Sequence, residues 1–275
     1  MEKKGYDDSK ITKNLDKIKH KIIVLSGKGG VGKSTTSTNL ALSLAKKGFE
    51  VGLLDVDFHG PSIPKMLGIE EIKPTSDDKG IIPVFALPNL KVMSIAFLIG
   101  DKDSPVIWRG PMKMGVIKQF LGDVLWGKLD YLIVDLPPGT GDEPLSVAQI
   151  IPNSDGAVVV TTPQDVALIS VRKSINFVKK MNIPVIGIIE NMSGFICPKC
   201  GEEINIFKSG GGFKASEDLN VPYLGKVPLD PAIVETGDSG ETLLIKSPNS
   251  KSSQAFEHIV DRIEQIIMKK GVQIE

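Results

Sequence analysis

The chain has 275 residues, 41% of them hydrophobic and 24% charged, with lysine plus arginine (33) equal to aspartate plus glutamate (33). This is the composition of a folded globular chain, and its charge balance provides no basic field for nucleic acid, so no nucleic acid partner is expected. The longest apolar runs, Tyr131 to Val134 and Val158 to Val160, are too short to cross a bilayer, and Met1 to Asp8 has no apolar signal core; no membrane partner, a cytoplasmic location and reduced thiols are expected.

Residues 1–20 are dense in charge and poor in apolar side chains, and are expected to form a mobile arm or loosely docked helix ahead of a domain over 21–275. Lys21 to Ser26 reads as a buried strand and Lys33 to Lys47 as an amphipathic helix. Between them, Gly27-Lys28-Gly29-Gly30-Val31-Gly32-Lys33-Ser34 fits G-x-x-x-x-G-K-[ST]. Glycines in that frame let backbone N–H groups converge on phosphate oxygens, and the helix N-terminus adds its dipole. Lys33 is placed to supply charge to the β and γ phosphates and the Ser34 hydroxyl to ligate Mg²⁺. Gly27 to Ser34, together with Thr35, are therefore the expected nucleoside triphosphate site.

Glu50 to Asp55 is a second strand, and Asp55-Val56-Asp57-Phe58-His59-Gly60-Pro61-Ser62 leaves its end with two aspartates, one of which should face the phosphates. Ile81 to Phe97 holds two apolar segments around Pro88-Asn89 and reads as a strand pair or edge excursion. Helices are expected at Lys113 to Leu125, Glu143 to Ile150, Val166 to Met181 and Ser252 to Lys269; strands at Leu129 to Asp135, Asp155 to Thr161, Ile183 to Ile189 and Val221 to Val227. Near-continuous apolar strands separated by helices predict one α/β domain, a mainly parallel sheet covered by helices on both faces. With the phosphate loop, this is a single-domain P-loop NTPase.

Asp135, ending its strand before Leu136-Pro137-Pro138-Gly139-Thr140-Gly141-Asp142, has the position of a carboxylate that holds Mg²⁺ through water, and the Gly139 N–H is placed to sense the γ-phosphate. Glu190-Asn191 ends a strand on the same sheet edge, where ligands of open α/β sheets collect. Pro228-Leu229-Asp230-Pro231 either flanks a base or is a turn opening a helix.

The two cysteines form Cys197-Pro198-Lys199-Cys200-Gly201. Such a pair is a redox dithiol, half a zinc site or half an iron-sulfur site. Pro198 and Gly201 favour a knuckle-like turn that presents both sulfurs to one metal. Zinc and a 4Fe-4S cluster each usually take four protein ligands, so two chains are needed.

The K-G-G-x-G-K-S loop resembles the deviant Walker A ATPases. That resemblance implies that Lys28 reaches phosphates bound by a second subunit in a nucleotide-sandwich homodimer, that Asp57 orients the attacking water, with Asp55 secondary and structural, and that Asn191 pairs with adenine, making the nucleotide ATP. Lys28, Lys33 and Asp57 are then the catalytic set. Lys28 to Ser34, Asp55 to Ser62, Trp108-Arg109-Gly110-Pro111-Met112, Asp135 to Asp142, Thr161 to Ala167 and Glu190-Asn191-Met192-Ser193 with Cys197 and Cys200 together resemble the Mrp family of ApbC-like ATPases. The resemblance implies slow ATP hydrolysis to ADP and phosphate, and a labile 4Fe-4S cluster bridged by Cys197 and Cys200 of two chains and passed to apo iron-sulfur proteins. The separate N-terminal domain of many bacterial relatives and the N-terminal cysteine cluster of eukaryotic cytosolic ones are not expected here.

Three other readings share the loop. A MinD- or ParA-like positioning ATPase would use Phe256, Ile259, Val260, Ile263, Ile266 and Ile267 as a membrane face, but acidic Glu257, Asp261 and Glu264 dominate the polar side and the cysteines have no purpose there. A dimer with structural zinc at the same four sulfurs is not separable by sequence. A reductase like nitrogenase iron protein has its cysteines far apart in sequence, unlike these.

Overall fold

Branched apolar residues dominate the long buried runs, and in the structure, a computed structural model that describes residues 6–99, 109–197 and 199–272, these runs become strands of one central sheet. Trp108 and Pro198, which belong to the motifs above, lie outside the described residues.

In chain order the first half comprises α1 (Ser9–Leu15), β1 (Ile18–Leu25), α2 (Lys33–Lys46), β2 (Val51–Asp55), α3 (Ile63–Met66), β3 (Thr75–Asp77), β4 (Gly80–Ile82), β5 (Val84–Leu87), β6 (Leu90–Ser94), a 3₁₀ turn at Ile95–Leu98 and α4 (Gly110–Gly122). The second half comprises β7 (Leu129–Asp135), α5 (Asp142–Gln149), β8 (Gly156–Thr161), α6 (Asp165–Lys180), β9 (Val185–Glu190), β10 (Phe195–Ile196), β11 (Glu203–Ile204), α7 (Gly211–Leu219), β12 (Tyr223–Lys226), α8 (Pro231–Ser239), α9 (Leu243–Lys246) and α10 (Lys251–Val272).

The sheet runs β12-β9-β8-β1-β7-β2-β6-β5. Every neighbouring pair is parallel except β5 with β6, which is the strand pair expected around Pro88-Asn89. Parallel strands need crossovers, so the loops after β1, β2, β7, β8 and β9 all leave the same edge, where ligands bind in open α/β sheets. In register, Asp135 of β7 sits between Val24 of β1 and Asp55 of β2.

Two expectations change. Of the mobile arm or loosely docked helix expected over residues 1–20, the helix forms and is packed firmly: Ile11 and Leu15 of α1 are buried, β1 already begins at Ile18 rather than after residue 20, and the Asn14 side chain donates to Leu121 O at 2.9 Å and Val124 O at 2.7 Å. A few apolar side chains at helical spacing and one capping amide outweigh the charge of the segment. Second, α2 is not amphipathic but buried from Thr36 to Ala45, because α10, α3 and α9 cover the side facing away from the sheet. Small residues let it be enclosed on all sides, as at Ser37, Ala41 and Ser43. The α10 stripe, discounted above as a membrane face, packs on its own domain: Phe256, Ile259, Val260, Ile263 and Ile267 are all buried in the core, and Ile266 packs against it. That apolar stripe is occupied by its own domain, and no described helix is long and apolar enough to cross a membrane.

Candidate nucleotide and metal-cargo site

The loop after β1 wraps the start of α2 and leaves a pocket of about 220 Å³ lined by Ser26, Gly29, Gly30, Gly32, Lys33, Ser34, Thr35 and Asp57 among others. Gly32 has φ +77°, and a Cβ there would overlap the Asn191 amide nitrogen, so both the turn and the close approach require glycine. Lys33 is buried with its ammonium 2.6 Å from Asp135 Oδ2 and 3.6 Å from Asp57 Oδ2. Asp135 also accepts from Ser34 Oγ at 2.7 Å and from Ser37 Oγ at 2.6 Å. Sequence reasoning missed Ser37; its place one turn after Ser34 on α2 was the available signal.

Asp55 is fully buried and accepts from Ser94 Oγ at 2.8 Å and from Asp57 N at 3.1 Å. Burial first, and the neighbouring Asp135 second, push its carboxyl up to about 7 against the pull of Lys33. One ammonium thus faces three carboxylates, an arrangement that favours a divalent cation arriving with its phosphates. Asp57 turns back to accept from His59 N at 3.1 Å, leaving Oδ2 toward Lys33. The Gly139 N–H, expected to face a γ-phosphate, instead donates to Ser26 O at 2.8 Å, which ties the loop after β7 to the phosphate loop. His59 Nε2 lies 3.2 Å from Glu143 Oε2 and so links the loop after β2 to the first turn of α5.

A second pocket of about 310 Å³ continues from the first, sharing Gly32, Thr35, Ser62 and Met66, and is bounded by Asn191 and by Pro228, Leu229 and Asp230. Asn191 is buried and donates through Nδ2 to Val31 O at 2.9 Å, keeping Oδ1 and its second amide proton for a ligand edge. Asp230 both lines this pocket and caps α8, accepting from Ala232 N at 2.9 Å, so the turn opening a helix and the wall of the pocket are one structure. Glu190, to which the sequence assigned no role, is buried and accepts from Gly210 N at 2.9 Å, from Gly212 N and from Ser193 Oγ. It staples the segment after β9 to the start of α7.

That segment leads directly into β10 and β11, an antiparallel pair whose turn carries both cysteines. Cys197 N donates to Glu202 O at 2.9 Å and Gly201 N to Cys197 O at 2.8 Å, while Gly201 takes φ +75° to close the turn. The backbone N–H of Cys200 first, then that of Lys199, then the Cys200 side chain, hold the Cys197 thiol below its usual range. Donors aimed at sulfur stabilise a thiolate ready to ligate metal. Cys200 is exposed, both thiols are free, and no group of three or more histidine, cysteine or carboxylate side chains that could hold a metal occurs among the described residues. The hairpin is fastened to the nucleotide pocket by Leu229 N donating to Gly194 O at 2.7 Å.

A family model described as "ParA: NUBPL iron-transfer P-loop NTPase" matches residues 17–264. The chain belongs to this family. Relatives of the chain include the "Iron-sulfur cluster carrier protein" of Methanocaldococcus jannaschii, 52% identical over 263 residues that make up 96% of this chain and 90% of the relative. The "Cytosolic Fe-S cluster assembly factor NUBP2 homolog" of Dictyostelium discoideum is 53% identical, covering 90% of this chain and 95% of its own. Among solved structures, the nucleotide-binding protein of Archaeoglobus fulgidus in complex with ADP superposes with a TM-score of 0.78 at 40% identity, covering 91% of this chain and 97% of that one. The cell division ATPase MinD of Pyrococcus furiosus, at 24% identity and TM-score 0.65 over 90% of this chain and 99% of its own, shares the fold.

Proposed function

We propose that this NUBPL-type P-loop NTPase is an ATP-hydrolysing carrier that holds a 4Fe-4S cluster between two copies of the Cys197/Cys200 hairpin and delivers it to apo iron-sulfur proteins in the cytoplasm. The observation that carries this reading is the continuity of the two sites: Asn191 and Pro228 to Asp230 wall the nucleotide pocket, and the same two segments hold the cysteine hairpin. Nucleotide turnover and cargo handling would thus act on one piece of backbone.

The cluster is cargo, and iron-sulfur clusters suit thiolate ligands. Two thiols per chain, one of them exposed, support a site completed by a second copy. So does the surface around the phosphate loop, where Val166 and Ile169 of α6 are 75% and 62% exposed beside Gly27, which abuts Ser170. Apolar side chains this exposed next to a ligand site favour burial against a partner. Lys28 is half-buried, and its ammonium has no ion pair among the described residues. It is free to reach the partner's phosphates. Within each chain, Lys33 and the loop N–H groups would bind ATP, Ser34 would ligate Mg²⁺ with Asp135 acting through water, Asp57 would orient the attacking water, and Asn191 would meet adenine. The ADP complex of the Archaeoglobus relative supports the nucleotide part; the carrier names of the Methanocaldococcus and Dictyostelium relatives support iron and sulfur over structural zinc.

The test is cluster transfer from anaerobically loaded protein to an apo-ferredoxin, followed by the acceptor's recovered absorbance. Wild type should mature the acceptor, and Cys197→Ser should fail to while still binding ATP. Equal maturation by wild type and a Cys197→Ser/Cys200→Ser double variant would overturn the carrier role.

A further inference from the structure

Beside the cysteine hairpin runs a groove of about 410 Å³ whose floor is β12, the terminal strand of the sheet, and whose wall is α10. Ile196, the residue before Cys197, closes one end. Lys251, His258 and Arg262 project into it from α10 at spacings of seven and four, one face of the helix. The acids of α10 face elsewhere: Glu257 pairs with Lys46 at 2.7 Å, and Asp261 pairs with Lys47 at 2.8 Å, as does Glu264. Over Lys251 to Glu264 the helix is therefore sorted by charge, acids paired with α2 and Lys251, His258 and Arg262 lining the groove, in a chain with no net charge. On the groove's own lining the one acid is Glu203, already 2.9 Å from Lys226. Lys251 has no ion pair among the described residues. Arg262 uses Nη1 to cap the edge carbonyls of Tyr223 and Leu224 at 3.2 Å each. Its remaining N–H groups suit a carboxylate, and the capped edge turns away strand addition in favour of side-chain recognition.

The basic groove follows α10 from Lys251 to Arg262, eleven residues or about 16 Å of helix, which matches an extended chain rather than a single small anion. A second hollow of about 520 Å³ shares Ile196, Pro228 and Lys251, but its lining adds the acids Asp230 and Glu235, so the surface suited to carboxylates is the groove along β12 and α10. We infer that this groove is the docking surface for a carboxylate-rich extended segment of the acceptor apoprotein, laid along β12 and α10 so that the acceptor's own cysteines come up to the hairpin. This inference rests on the carrier reading for the identity of the partner, but not for the binding of an acidic segment.

Two experiments separate those parts. In the first, a fluorescent peptide of alternating glutamate and alanine is titrated into the full-length protein without cluster, with the anisotropy read at low and high salt. Wild type should bind, binding should weaken as salt screens the charges, and Lys251→Glu/Arg262→Glu should lower affinity about tenfold or more. Lys251→Glu/His258→Glu, which leaves the bonds of Arg262 to β12 in place, should do the same. In the second, the same variants are loaded with cluster. They should keep wild-type iron and sulfide content and ATP turnover while transferring to an acidic apo-ferredoxin several-fold more slowly. Peptide binding unchanged in both variants overturns the docking surface, as does displacement of the peptide by millimolar inorganic phosphate, which would mark a small-anion site. Altered sedimentation of the variants with peptide binding intact also overturns it, by assigning the groove to a second copy of the chain. If wild type binds the peptide but takes up no cluster, the carrier reading fails and the acidic-segment groove stands.

Discussion

The Asn191 side chain donates to the carbonyl of Val31 at 2.9 Å, fastening the segment that leads to the cysteines onto the loop that cradles phosphates. The contact exists only because Gly32 has no side chain. Alanine at Gly32 would meet the Asn191 amide and would also have to hold φ +77°. Gly32→Ala should therefore lower stability by about 2 kcal/mol or more and weaken nucleotide binding. At Gly29 a Cβ meets open space, and Gly29→Ala should stay within about 0.5 kcal/mol of wild type. Equal losses in the two variants by urea denaturation would contradict this account of the loop.

The short ion pair between Lys33 and Asp135 sets what happens when the lysine is lost. Asp135 keeps hydroxyl donors from Ser34 and Ser37, so Lys33→Ala should fold, yet ATP turnover should fall on the order of 10²-fold or more because no charge meets the transferring phosphoryl group. Asp57→Asn should separate the two functions, sparing ATP binding within a few-fold while hydrolysis collapses, since the role proposed for it lies with the attacking water. Isothermal titration beside phosphate-release kinetics distinguishes these outcomes; a parallel fall of binding and turnover in Asp57→Asn would remove that role.

Lys28 gives a prediction that only a dimer can satisfy. Mixing Lys28→Ala subunits with Asp57→Ala subunits produces heterodimers in which the two lesions fall in one composite site or in opposite sites, depending on whose phosphates Lys28 meets. If Lys28 acts across the interface, both lesions fall together in one site, the other is intact, and mixtures should regain up to about half of wild-type turnover per heterodimer. Mixtures no more active than the two parents would argue that Lys28 serves its own chain.

Asp55 makes stability depend on pH in a definite direction. Its carboxyl, ordinarily near 3.8, is pushed up to about 7 in the folded protein, so between those values the folded state holds a proton that the unfolded state has released. Stability from this group is present at low pH and is lost as pH rises from about 4 to about 7. Asp55→Asn, which can keep a bond to Ser94 and accept from Asp57 N, lacks that loss. Its stability relative to wild type should rise across this window and level off above it, as read by urea unfolding at half-unit intervals of pH; a constant difference would contradict the buried, proton-holding Asp55.

Much of the site was legible because its chemistry depends on short spacing. The loop, the strand-end aspartates and the C-x-x-C pair each occupy a few consecutive residues, and the buried runs from Leu129 to Asp135 and around Val158 announced parallel strands. What sequence concealed was contact between distant segments. The Glu190 staple takes donors from Gly210 and Gly212, and Ser94 reaches Asp55 only because β6 lies beside β2. Helix α1 was obscured by its charge, since only Ile11 and Leu15 signal that one side docks. The helix α2 looked amphipathic because its serines and threonines from Thr36 to Ser43 are buried rather than facing water, as α10, α3 and α9 cover the side away from the sheet.

The carrier reading is tested most directly by metal and sulfide analysis of protein isolated and reconstituted without oxygen, with the oligomeric state measured on the same sample. About four iron and four acid-labile sulfide per dimer are expected, lost on Cys200→Ser while ATP binding persists. Zinc held in preference to iron by the wild-type protein, or an iron-sulfur cluster retained by the Cys197→Ser/Cys200→Ser variant, would contradict it.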